Sequence, residues 1–217
     1  MSEILKENSE ILKENHWKFY YWGPLLYHCR LKKDDLQKIK KLTSKRKPHN
    51  INLAGIIKDQ FLFLKEDQQK FDEVIAPYLK VFGDCYINFF GYEPRSKPFE
   101  VCIKTMQVWT NFMNKGDANP VHVHTNCTWS SVMYLDVPTP LKKEQSKFVG
   151  TGCGPGGIAF LTGPAVPGFI NYKSFRPHDG DFFIFPKDLY HYVAPFKSKC
   201  TRVSVAANFD VFIKEVK

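Results

Sequence analysis

The residues best suited to chemistry lie in Asn119-Pro-Val-His-Val-His-Thr-Asn126, where His122 and His124 stand two apart. In an extended strand that spacing turns both imidazoles to one face, close enough to share a metal ion. A third imidazole, His191, lies in a comparable apolar setting, Phe-Ile-Phe-Pro-Lys-Asp-Leu-Tyr-His. Three imidazoles suit zinc, iron, copper or nickel, so the ligand set alone leaves the metal open. A lone strand histidine is more often a satisfied core residue, and the bland reading stays beside the metal reading here. His178, in Pro-His-Asp-Gly, reads as a turn residue.

The elements that must position these side chains follow from the pattern around them. After Glu100 short alternating segments recur at 101–112, 121–124, 128–136, 157–161, 168–172, 181–186 and 201–212. Turn residues separate them, as in an antiparallel sandwich or barrel. Before that boundary the character is mixed. Asp34 or Asp35 can cap a helix carrying Leu36, Ile39 and Leu42. The segment 53–60 is ambiguous. A longer helix is expected from about Asp67 through Phe82, with Pro77 kinking it or marking its start. Residues 1–99 thus form a support on a 100–217 β-core, one domain overall. His16–Trp22 reads as an aromatic strand. Residues 2–8 and 9–15 repeat Ser-Glu-Ile-Leu-Lys-Glu-Asn, a short amphipathic helix that makes homo-oligomerisation worth testing.

Composition excludes several classes. Of 217 residues, 43% are hydrophobic and 15% aromatic, enough for a sizeable core and against global disorder. No apolar run reaches the roughly 20 residues that span a bilayer. The charged N-terminus lacks a signal-peptide core. Six dispersed cysteines without a CxxC read as free thiols, and a cytoplasmic setting is expected. The net charge of +9 concentrates between Arg30 and Lys47. That stretch is either the solvated face of a basic helix or a contact for an acidic partner.

From Trp109 to Phe209 the chain resembles the double-stranded β-helix of the Fe(II)/2-oxoglutarate-dependent oxygenases. The resemblance is carried by His122-Val-His124, Tyr134-Leu135, Gly180-Asp181-Phe-Phe-Ile-Phe-Pro186, His191 and Arg202-Val-Ser204. It is strongest toward prolyl 4-hydroxylase-like members, including a phage and marine bacterial branch. It implies an α+β, jelly-roll (cupin-like) core with N-terminal helices; the N-terminal half matches only loosely, through Asn52–Gly55. The implied cofactors are Fe(II), 2-oxoglutarate and O2, and the implied product is a hydroxylated peptide or protein residue.

Carried over by position, the resemblance makes His122 and His191 iron ligands. Arg202 then binds the distal carboxylate of 2-oxoglutarate, where a planar fork suits bidentate contact. Ser204 and Tyr134 assist, Asn208 is a weaker candidate, and Asn111 substitutes for a tyrosine that some relatives place at position 112. The departure is His124, where most relatives carry Asp or Glu. Three readings stand: His124 ligates; Asp117 or Asp136 ligates instead; or the site holds zinc or no redox metal. A three-His zinc or cupin-type enzyme and a non-catalytic β-sandwich binding module are the alternative functions. The Pro138–Gly157 connection reads as mobile, or as a lid with Lys142, Lys143 and Lys147 toward substrate.

Overall fold

The computed structural model describes residues 23–44, 47–49, 54–90, 99–164 and 171–215. The expected 2–15 helix and the 16–22 strand lie outside them, as does most of 168–172. The elements in chain order are β1 (Tyr27–Arg30), α1 (Lys33–Leu42), β2 (Asp59–Leu62), α2 (Lys65–Phe90) and β3 (Phe99–Met113). They continue as β4 (Asn119–His122), β5 (Trp129–Asp136), α3 (Thr139–Ser146), β6 (Ile158–Leu161), β7 (Tyr172–Phe175), β8 (Asp181–Pro186), β9 (Tyr190–Val193) and β10 (Arg202–Glu215). Two antiparallel sheets result, a major one ordered β1-β8-β5-β10-β3-β2 and a minor one ordered β4-β9-β6-β7. This is the expected α+β double-stranded β-helix. Both edge strands of the major sheet, β1 and β2, come from the N-terminal half.

Side-chain alternation splits the interior in two. In β8 Phe182 and Ile184 face the helices, where they join Ile39, Phe71, Ile75, Phe82, Met133 and Phe209. Phe183 and Phe185 point the other way, into the space between the sheets. A strand buried on both faces explains the unbroken apolar run in Asp-Phe-Phe-Ile-Phe-Pro. The same alternation in β10 sends Val205, Ala207 and Phe209 to the helices. Arg202, Ser204 and Ala206 therefore face the other sheet. At roughly 25 cal/mol per Å2 of buried apolar surface, two phenylalanine layers per strand are a large stabilising term.

Helix α1 buries Leu36 and Ile39 as expected, but its N-cap is Lys32, with no side-chain cap bond. Asp34 and Asp35 sit in the first turn, where their charge favours the positive end of the helix. Asp35 instead accepts the Tyr78 hydroxyl at 2.8 Å, which ties α1 to α2. Helix α2 runs through Pro77 without ending, its start lying at Lys65.

The 138–157 connection is anchored rather than open. Its first part is α3, which buries Leu141 and Gln145. Glu144 accepts the Lys197 and Ser198 amides at 2.9 and 2.7 Å, and Lys142 pairs with Asp179 at 2.9 Å. These contacts hold the segment against its own core. All six cysteines are free. Among the described residues, no helix is long and apolar enough to cross a membrane.

Candidate metal and cosubstrate site

β4 and β9 pair so that His122 stands opposite His191, with ring centroids 4.2 Å apart. His124 lies two residues beyond the strand end, and its amide donates to the Lys187 carbonyl at 2.9 Å. That bond keeps the extended alternation and returns the third imidazole to the same side. The His124 and His191 Nε2 atoms are 3.2 Å apart. One potential ligand nitrogen from each of the three rings lies within 4.8 Å of the others. With metal–nitrogen distances of about 2.1 Å, a 3.2 Å separation suits two ligands on one ion near a right angle. The donor set fits a metal.

Tautomers are prepared for that role. His122 donates Nδ1–H to the Pro120 carbonyl and His191 donates Nδ1–H to the Leu189 carbonyl, each at 2.8 Å. Both Nε2 lone pairs are thereby left toward the cluster. Burial lowers all three pKa values, to about 4 for His124 and about 3 for His191, and neighbouring imidazoles add to the effect at these last two. Neutral imidazole is the ligating form. Asp117 accepts the Asn114 amide in a turn, and Asp136 is exposed at the end of β5. Among the described residues no carboxylate joins the three histidines.

A cavity of about 50 Å3 extends from the histidines between the sheets, lined by Asn111, Tyr134, Arg202 and Ser204 among others. Strand register explains this polarity: Gln60, Asn111, Ser204 and Tyr134 lie side by side across β2, β3, β10 and β5. All four are buried. The Asn111 Oδ1, Tyr134 hydroxyl and Arg202 Nε have no hydrogen-bond partner among the described residues. Arg202 is 2% exposed. It donates Nη1 to the Gly156 carbonyl at 2.7 Å and lies 4.9 Å from the Tyr134 ring centroid. Gly156 reaches it with a φ of 63°, a conformation glycine adopts without strain. Burial lowers the Arg202 pKa and pushes Tyr134 up to about 12. A buried guanidinium without a carboxylate is costly. The pocket therefore fits an anion supplied from outside the chain.

The sequence-derived candidates divide by position. Asn111, Tyr134, Arg202 and Ser204 share the inner cavity with the three histidines. Asn208 lines the outer cleft and accepts the Ser130 hydroxyl at 2.9 Å. Phe112 stacks edge-on with Phe61. Two residues were not anticipated. Asn119 lines both spaces, and Gln60 extends the polar row outward. The Asn-Pro start of β4 is a weak signal for the first; nothing in the ambiguous 53–60 run marks the second.

Residues 107–208 match the family model described as "Putative 2OG-Fe(II) oxygenase". Over these residues, the β-core from β3 to β10, the chain is similar to the 2OG-Fe(II) oxygenases. It is an enzyme that uses Fe(II), 2-oxoglutarate and O2, and the cavity chemistry agrees with that set. An oxidoreductase of the 2OG-Fe(II) oxygenase family from Burkholderia pseudomallei shares the fold at 14% identity and a TM-score of 0.55, covering 87% of this chain and 85% of its own. The viral collagen prolyl hydroxylase of Paramecium bursaria Chlorella virus-1 does so at 12% and 0.53, covering 86% and 96%. A Pseudomonas putida prolyl-4-hydroxylase does so at 13% and 0.53, covering 85% and 91%. No curated protein matches the oxygenase in sequence.

Proposed function

We propose that this oxygenase hydroxylates a peptide or protein residue, in the manner of a prolyl 4-hydroxylase, with His122, His124 and His191 holding Fe(II). Arg202 binds the distal carboxylate of 2-oxoglutarate, Ser204 and Tyr134 donate hydroxyl protons to it, and Asn111 lines its path. The observation that carries the reading is the buried Arg202, its Nε without a partner among the described residues, in one cavity with three imidazoles. Bound iron, with 2-oxoglutarate and O2, supplies oxidative decarboxylation to succinate and CO2 coupled to hydroxylation of a C–H bond.

The chain's own groups bind and orient. Nδ1–H bonds to Pro120 and Leu189 fix two ligand rings. Phe160 and Phe185, 6.0 and 4.7 Å from the His191 ring, exclude water from one side. A five-carbon dicarboxylate is larger than the cavity of about 50 Å3. Its binding parts the surrounding side chains, and the Arg202–Gly156 contact is the one its carboxylate replaces. The 1–99 segment acts as a support that also completes both sheet edges.

Collagen is a protein substrate of one fold relative by its name, and the open cleft beside the histidines, about 830 Å3, has room for a peptide segment. Anaerobic Fe(II) titration with 2-oxoglutarate should give the weak visible charge-transfer band of the chelate. Aerobic succinate release should then rise on addition of proline-containing peptides. Zinc retained stoichiometrically, with no such band, would refute the iron assignment.

A further inference from the structure

The outer cleft has an unusual lining for a basic protein. Among its described residues it has Lys47, no arginine and no carboxylate, yet six side-chain amides: Gln60, Gln68, Gln107, Asn119, Asn126 and Asn208. Two of these stand apart. Gln60 is 4% exposed, and its Oε1 is buried without a partner among the described residues. Asn119 Oδ1 is buried and unpartnered in the same sense. Gln60 comes from β2 in the major sheet and Asn119 from β4 in the minor sheet. Both residues therefore line the cleft, one from each sheet, with their acceptor oxygens buried at its wall.

An unpaired buried carbonyl costs free energy unless a ligand donates to it. The Asn119 side-chain amide packs against the backbone of residue 55. Any Cβ at residue 55 would collide with its side chain, so Gly55 is the residue that lets this amide fit. The Gln60 backbone is fixed from behind, because its main-chain carbonyl accepts the His49 amide at 2.8 Å and it pairs with Asn111 in the strand register.

We propose that Gln60 and Asn119 are substrate-binding residues that accept main-chain N–H groups of an extended peptide lying in the outer cleft. The inference rests on the peptide reading above and deepens it. Peptide N–H groups are donors repeated along a chain of any sequence, which two fixed acceptors can engage without reading side chains. A polynucleotide fits the lining poorly, since its phosphates call for several cations and the described lining offers one lysine.

The test uses the full-length enzyme with Fe(II) and 2-oxoglutarate under nitrogen. A library of labelled, proline-containing ten-residue peptides is screened for binding. Each binder is then resynthesised with single main-chain amides replaced by esters, which removes one N–H at a time. Two ester positions should each weaken wild-type binding about tenfold, the size expected for one buried hydrogen bond. Gln60→Leu should erase the penalty at one position and Asn119→Leu at the other, with the peptide KM rising about tenfold and kcat changing less. Thermal midpoints and separate 2-oxoglutarate affinities identify a variant whose pocket has collapsed; Gln60→Met and Asn119→Ala then replace it. Ester penalties that persist undiminished in every variant overturn the inference and leave the peptide reading standing. Absence of any peptide binder, with or without binding of single-stranded oligonucleotides of similar length, overturns both.

Discussion

His122 and His191 face each other across the β4–β9 pair, and each donates Nδ1–H to the carbonyl two residues before it, at Pro120 and Leu189. The same local device thus fixes both rings from two strands distant in sequence. On the three-histidine reading it presets the ligand nitrogens, which lowers the ordering cost of binding an ion.

The first prediction concerns the ligand set. His122→Ala and His191→Ala should each lower Fe(II) affinity by at least about 100-fold, as direct loss of a ligand exceeds the 10–100-fold typical of outer-shell changes. His124→Asp should retain iron within about tenfold, because a carboxylate serves a facial site equally well. Isothermal titration under nitrogen reads both. If Asp117→Ala removes iron and His124→Ala does not, the three-histidine assignment is wrong.

Arg202→Met should raise the 2-oxoglutarate KM by at least about 100-fold while the metal stays bound. The same change should leave the thermal midpoint of the ligand-free protein unchanged or higher, since it removes an uncompensated buried cation and keeps the volume. Differential scanning calorimetry checks the second half. A fall of more than about 5 °C would mean that the Gly156 bond, not the anion, is the partner for which Arg202 is buried.

The acid response follows from the depressed imidazoles. Well above the unfolded pKa, from about pH 7.5, they are neutral both folded and unfolded, and stability is flat with respect to them. Between there and about pH 4 the unfolded chain takes up protons that the buried rings refuse, so stability falls as pH falls. Each fully buried imidazole contributes a loss of roughly 1–2 kcal/mol by pH 5. Urea midpoints of the metal-free protein at pH 7.5 and 5 measure it. His191→Phe should shrink the difference, and an unchanged difference would assign it to other groups.

Asp181 gives a stability prediction of opposite origin. Its buried carboxylate accepts the His178 amide at 2.7 Å, Arg30 Nη2 at 2.9 Å and His28 Nε2 at 3.2 Å. Burial alone would raise its pKa, but these donors hold it below the usual range. That contribution is present above the unfolded pKa and lost as pH falls through the folded one. Asp181→Ala should cost about 2–3 kcal/mol and loosen the edge strand β1. Amide exchange at Tyr27–Arg30 faster than at β5 would locate the loss.

The site was legible in part because its key groups lie on period-two strands with strong flanking runs. His122, His191 and Arg202 each sit at a strand whose alternation fixes their side, so spacing carried three-dimensional content. Gln60 and Asn119 were hidden for the converse reason: β2 and β4 are four residues each, too short to show a period. Helix α3 was missed because its lysines mask a single buried turn around Leu141. Tyr190–Val193 was not marked as a strand, since a four-residue run straight after a turn gives no alternation to read. The reading of 138–157 as a loose connection missed contacts, chiefly those of Glu144 with Lys197 and Ser198, that join residues more than fifty apart.

The unmatched charge of Arg202 also makes folding a gauge of metabolite supply. A ligand that binds only the native state adds RT ln(1 + [L]/Kd), about 2.7 kcal/mol at a hundred times Kd. If Arg202 binds its distal carboxylate as proposed, 2-oxoglutarate is such a ligand. When the cosubstrate is scarce, the enzyme loses resistance to unfolding and proteolysis together with its turnover. Abundance of the protein would then follow the dicarboxylate it consumes.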